Sequence, residues 1–129
     1  MKKLIPIVLS ALMLTGCAGA GNQTNSYRQI IMDEAVAMME QESGYVILDV
    51  RRPDEYATGH IPNAINVPNE NIGTDEISQL PNKDQLIMVY CRSGRRSKEA
   101  AEKLVKLGYT NIVEFGGILD WNGETVSGE

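Results

Sequence analysis

The sequence predicts an α/β fold: an open, mostly parallel central sheet flanked by helices on both faces. Two apolar runs of strand length carry this, Tyr45-Val46-Ile47-Leu48 and Leu86-Ile87-Met88-Val89-Tyr90, each the pattern of a strand buried on both sides. Segments with one apolar helical face alternate with such runs. Strands alternating with helices imply crossover connections and therefore parallel neighbours.

Each element has a local reason. Residues 32–42 (MDEAVAMMEQE) read as a helix, with Asp33 and Glu34 in the first turn and Ser43-Gly44 closing it. Met38 and Met39 there are core filler. Arg52-Pro53-Asp54-Glu55-Tyr56 suits one helical turn opened by proline, Asp54 and Glu55 being helix-start acids. Residues 64–67 form a brief strand, and residues 74–80 are expected to form a short helix ended by Pro81-Asn82. Residues 97–107 (SKEAAEKLVKL) are the clearest helix: Ala100, Ala101, Leu104 and Val105 share a face and Gly108 takes the C-terminal cap. Residues 111–115 supply a fourth strand, after which Gly116-Gly117 turn into a last short helix around Trp121, a packing residue at the domain's edge.

A chain of 129 residues holds one domain with at most a short appendage. Its 43% hydrophobic content is enough to bury a core. The net charge of −5 argues against a nucleic-acid partner, which would call for a basic surface. Two cysteines and one histidine are too few for a structural zinc site.

Residues 1–16 read as an address. Lys2 and Lys3 precede an apolar run from Leu4 to Leu14, the length of an export signal and too short to span a bilayer. An ordinary cleavage at Ala18-Gly19-Ala20 is one reading. Leu14-Thr15-Gly16-Cys17, however, resembles the lipobox of bacterial lipoproteins, in which the chain is cut before the cysteine and the cysteine is lipidated. The lipobox is preferred because Cys17 directly follows a small residue at the end of the apolar run. The expectation is an exported domain (residues 27–126), lipid-anchored on the extracytoplasmic side of a bacterial membrane through Cys17 and a flexible tether, residues 17–26. Cys91 is then a lone thiol, either inert and buried or kept for reactivity.

Its surroundings favour reactivity. Cys91 ends a buried strand, and Cys91-Arg92-Ser93-Gly94-Arg95-Arg96 leads into a helix expected to start at Ser97. Open parallel sheets bind ligands at the carboxyl ends of their strands. A helix N-terminus presents unpaired N–H groups and a positive dipole, and a tight loop through Gly94 can turn further N–H groups inward as an anion cradle. Three arginines in six residues reverse the sign of an otherwise acidic protein, although Arg92, Arg95 and Arg96 cannot all point inward. An ordinary thiol is only about 3% ionised at neutral pH, and about 2.7 kcal/mol of anion stabilisation makes it mostly thiolate.

The sequence resembles the single-domain rhodanese (sulfurtransferase) family at three places. These are Leu48-Asp49-Val50-Arg51 with Glu55-Tyr56 and Gly59-His60-Ile61-Pro62-Asn63-Ala64; the 91–96 loop; and Gly116-Gly117 with Trp121. Asn63 departs from the family's usual glycine, and both residues tolerate unusual backbone angles. The resemblance implies a rhodanese-like fold and covalent catalysis. Cys91 attacks the outer sulfur of a thiosulfate-like donor, sulfite leaves, and a thiol or cyanide takes the sulfur from a Cys91 persulfide. It implies that Arg92, Ser93, Gly94, Arg95 and Arg96 bind the donor anion, and it implies no metal or organic cofactor. Asp49, Arg51 and His60 are read as structural support, His60 bracing a turn rather than moving a proton. Relatives acting on phosphate or arsenate carry an arginine where this chain has Ser97, so phosphatase chemistry ranks far behind. A persulfide carrier or partner-binding module is the alternative. A thiol–disulfide redox role lacks a resolving cysteine.

Overall fold

The computed structural model describes residues 26–128, so the expected signal, lipid attachment at Cys17 and most of the tether lie outside the described residues. Five strands form one sheet: β1 (Arg28–Gln29), β2 (Val46–Asp49), β3 (Ile65–Asn66), β4 (Ile87–Cys91) and β5 (Ile112–Gly117). Their order is β1-β5-β4-β2-β3, and every neighbouring pair is parallel. Three helices cover the sheet: α1 (Met32–Gln41), α2 (Pro53–Thr58) and α3 (Arg95–Lys106).

Strand β4 is central and buried at all five positions. Because side chains alternate along a strand, Ile87, Val89 and Cys91 pack on one face with Ala100, Ala101 and Leu104 of α3. Met88 and Tyr90 pack on the other face with Phe115, with Met32 and Ala35 of α1, and with Tyr56 of α2. This alternation places the Cys91 side chain on the α3 face, under the N-terminus of that helix.

The ends of the helices follow from sequence. Glu34 and Glu55 each reach back to accept the backbone N–H of the residue that opens their helix, Ile31 at 3.2 Å and Arg52 at 3.0 Å. Helix α3 buries Ser97, Ala100, Ala101 and Leu104, one stripe at helical spacing, and carries Lys103 and Lys106 in its last turn, where cations complement the dipole.

Three expectations need correction. Helix α3 begins at Arg95, not Ser97, because Gly94 adopts a left-handed conformation (φ 115°) that turns the chain into the helix at once. Residues 74–80 are not helical. Ile77 and Leu80 are buried three apart, which mimics a helical face, but they close a turn in which the Leu80 N–H donates to Ile77 O at 3.0 Å. The edge strand β1 was not anticipated: Arg28 and Gln29 are exposed and give no apolar signal.

Candidate active site

The Cys91 sulfur lies inside a turn formed by the chain that follows it. The Gly94 N–H donates to Sγ at 3.0 Å, and the thiol donates to Ser97 Oγ at 3.4 Å. Burial pushes the thiol's pKa up. Hydrogen bonds to the thiolate form, from the Ser97 hydroxyl when it turns to the sulfur and from the N–H groups of Ser97, Gly94 and Ser93, outweigh burial and leave the pKa below its ordinary value. Cys91 is 1% exposed.

Glycines make this turn possible. A Cβ on Gly117 would lie 2.0 Å from Arg92 O, so β5 approaches the loop more closely than any side chain permits. The Leu119 N–H donates to the same carbonyl at 3.2 Å. Between Val89 and Cys91 the β4–β5 register slips by one residue, so that Val89 faces Glu114 but Cys91 faces Gly117. Gly116, at φ 97°, absorbs the extra residue as a bulge.

Outside the loop is a cavity of about 410 Å³ lined by Arg52, Glu70, Arg92, Ser93, Arg95 and Arg96. Four guanidinium groups and one carboxylate line it. Cys91 is not in the lining, and its thiol lies on the inner side of the same loop. The arginines differ in their commitments. Arg96 is held by Glu55 through two contacts, 2.7 and 3.2 Å, and hydrogen bonding to this guanidinium keeps the Glu55 carboxyl at a pKa of about 2. Arg95 pairs with Glu99 at the surface, and Arg52 with Asp54. Among the described residues Arg92 has no carboxylate within ion-pair distance. Glu55 is therefore more than a helix-start acid, and Arg52 joins the basic rim.

The supporting residues are assembled one layer away. The buried Asp49 carboxylate accepts from the Arg51 backbone N–H (2.9 Å), Nε and Nη2 (2.7 Å), and from the Tyr90 hydroxyl (2.6 Å). Arg51 continues to Gly59 O at 2.8 Å, and the Ile61 N–H donates to the Tyr90 oxygen. Burial and the neighbouring Asp49 charge raise the Tyr90 pKa, so the phenol stays a donor. His60 stacks on Tyr56 with ring centroids 3.7 Å apart, and its Nδ1 lies 2.8 Å from Tyr56 O. Its backbone pairs with Val126. Asn63, at φ 73°, is the one described non-glycine residue with positive φ, at the position where glycine is usual. Trp121 packs half-buried against the α1 side of the core.

Reading the sequence missed Glu114. It is 1% exposed in the middle of β5, and its Oε2 accepts from Ser97 Oγ at 2.5 Å and from the Gly116 N–H at 2.9 Å. The available signal was a charged residue inside the otherwise apolar run Ile112-Val113-Glu114-Phe115, a place acids occupy only when partnered.

Fold and site together define a parallel α/β domain that holds one buried thiol, hydrogen-bonded by the loop that follows it, at the end of its central strand. The rhodanese-like domain model matches residues 32–124, and the chain belongs to that family. Thiosulfate sulfurtransferase PspE of Escherichia coli is 37% identical over 73 residues, covering 57% of this chain and 70% of the relative. A putative mitochondrial thiosulfate sulfurtransferase of Schizosaccharomyces pombe is 38% identical over 94 residues, covering 64% of this chain and 66% of the relative. A putative sulfur carrier protein of Bacillus subtilis, YrkF, is 27% identical over 119 residues, 92% of this chain and 63% of the relative. The chain thus spans about two thirds of the length of these relatives. Among solved structures, a rhodanese with anions from E. coli superposes with a TM-score of 0.60 at 34% identity, over 65% of this chain and 99% of that one. A rhodanese-like domain protein from Staphylococcus aureus gives 0.68 at 30% identity, over 79% and 99%.

Proposed function

We propose that this protein is a thiosulfate-type sulfurtransferase working through a Cys91 persulfide. The observation that carries the reading is the Cys91 sulfur held by the Gly94 N–H at 3.0 Å at the start of α3, behind a cavity rimmed by four arginines. The thiolate attacks the outer sulfur of the donor; the sulfur–sulfur bond breaks and sulfite leaves with the electron pair. Amides of the 91–96 loop hold the new persulfide, and an acceptor thiol, or cyanide in an assay, attacks its outer sulfur and releases the Cys91 thiolate. Arg92 and its neighbours bind the donor's charge. Asp49, Arg51 and His60 hold the adjoining turn. The relatives named as thiosulfate sulfurtransferases support this donor class.

Incubating the protein with thiosulfate and cyanide should yield thiocyanate, and Cys91→Ser should abolish it. Unchanged activity in Cys91→Ser would overturn the mechanism. A protein that gains the mass of one sulfur atom at Cys91 but does not turn over would instead be a persulfide carrier, the second reading, which the resemblance to YrkF favours. The proposed setting is extracytoplasmic, at a membrane, with Cys17 lipidated. Incorporation of labelled fatty acid that disappears in Cys17→Ala tests it.

A further inference from the structure

Beneath the reactive sulfur runs a chain of donors that the sulfur-transfer steps leave unused. The Cys91 thiol donates to Ser97 Oγ at 3.4 Å, and the Ser97 hydroxyl donates to Glu114 Oε2 at 2.5 Å. Ser97 is fully buried and Glu114 is 1% exposed. The second carboxyl oxygen, Oε1, is buried with no hydrogen-bond partner among the described residues. The Lys98 ammonium lies 3.8 Å from it, at ion-pair distance.

Proton counting limits what this chain of donors can do. The Ser97 hydroxyl has a single proton. While that proton is donated to the Glu114 carboxylate, it cannot also stabilise a Cys91 thiolate. The same hydroxyl also lies 3.1 Å from Gly94 O and 3.3 Å from Gly116 O; it is released to turn to the sulfur when Glu114 itself carries a proton and becomes the donor to Ser97 Oγ. The pair therefore has two forms of equal net charge: thiol with carboxylate, and thiolate with carboxylic acid.

We infer that Glu114 takes up the Cys91 proton through the Ser97 hydroxyl, and so generates the thiolate without releasing a proton to solvent. The S–H bond breaks as its proton passes to Ser97 Oγ, and the Ser97 O–H proton passes to Glu114 Oε2; nothing is oxidised or reduced. The proton stays on Glu114 while the thiolate attacks the donor, and is on hand when the second half-reaction returns the thiolate. Glu114 touches neither donor nor sulfur, so it is a positioning residue acting through Ser97. The titratable groups facing it are Lys98 of α3, whose Nζ is 3.8 Å from Oε1, Tyr27 before β1, and Cys91 itself. Arg96 of α3 acts on the sulfur as a nearby positive charge.

The inference rests on Cys91 being the reactive thiol of the proposed function. Its test, however, reads ionisation and not sulfur transfer, so the two can fail separately. Thiolate absorbance is followed against pH in the full chain, with the Cys91→Ser variant subtracted. Two interacting groups that share a proton titrate as a pair. The wild type should therefore show thiolate appearing in two steps, a partial acid step and a completing alkaline step. Glu114→Gln and Ser97→Ala should each lose the acid step and titrate in one. A single step in the wild type overturns the inference, as does a two-step profile that persists in folded Glu114→Gln. If Glu114→Gln fails to fold, the wild-type profile and Ser97→Ala decide.

Discussion

Arg96, at the start of α3, grips Glu55 of α2 with two guanidinium nitrogens, Nη1 to Oε1 at 2.7 Å and Nη2 to Oε2 at 3.2 Å. The same carboxylate accepts the Arg52 N–H that opens α2. One side chain thus ties the active-site loop to the helix that follows β2, and commits one loop arginine to architecture.

Removing that carboxylate charge should therefore cost stability first. Glu55→Gln is expected to lose about 1–2 kcal/mol at neutral pH, the range for a charged hydrogen bond that is partly solvated. The folded pKa of Glu55, about 2, lies below its ordinary value of 4.5. Its contribution is fully present above 4.5 and fades as pH falls through about 2. Denaturant unfolding of both proteins should show a gap at neutral pH that closes across that interval.

Gly117→Ala should be more damaging than most glycine substitutions, for reasons of space rather than backbone angle. At φ −140° the residue is extended, yet its Cβ would meet Arg92 O at 2.0 Å and Ser93 N at 2.5 Å. The loop must move, and overpacking of this kind costs about 1–3 kcal/mol. The displaced amides no longer converge on the sulfur, so thiocyanate formation should drop sharply even at temperatures where the variant remains folded.

The frame of this site was readable because the runs in β2 and β4 are apolar without interruption, and Gly94 and Gly116-Gly117 mark the turns beside Cys91. What escaped detection depends on contacts between distant positions. Glu114 meets Ser97, seventeen residues earlier, and Glu55 meets Arg96, forty-one residues later. Spacing along the chain does not encode either pairing. The mistaken helix at residues 74–80 has a similar origin, since Ile77 and Leu80 satisfy a helical period while packing as single anchors.

Asp49 offers a contrast between support and chemistry. Asp49→Asn leaves the buried Arg51 guanidinium without its anion, and breaking such a pair costs about 3–5 kcal/mol. If its role is to hold the turn, the residual activity of folded protein should keep the wild-type pH profile. His60→Gln should behave likewise, losing stability with its stack on Tyr56 but not the shape of the profile. An altered profile in either variant would show that the group takes part in proton transfer.

Arg92 should control donor binding more than its neighbours do. Arg95 is 75% exposed at its side chain and pairs with Glu99, and Arg96 is held by Glu55, whereas Arg92 faces the cavity without a carboxylate partner among the described residues. Losing one charge-assisted hydrogen bond is worth about 1.5–3 kcal/mol, or roughly tenfold to a hundredfold in affinity. Arg92→Ala should therefore raise KM for thiosulfate by at least about tenfold while kcat changes little, because the amides around Cys91 are untouched. Arg95→Ala should raise KM far less. Added salt should weaken wild-type binding and narrow the gap to Arg92→Ala, as screening of an open cationic rim requires. Steady-state kinetics of the three proteins at low and high ionic strength would settle the ranking, and an equal loss in Arg95→Ala would move the donor's anchor to the outer edge of the loop.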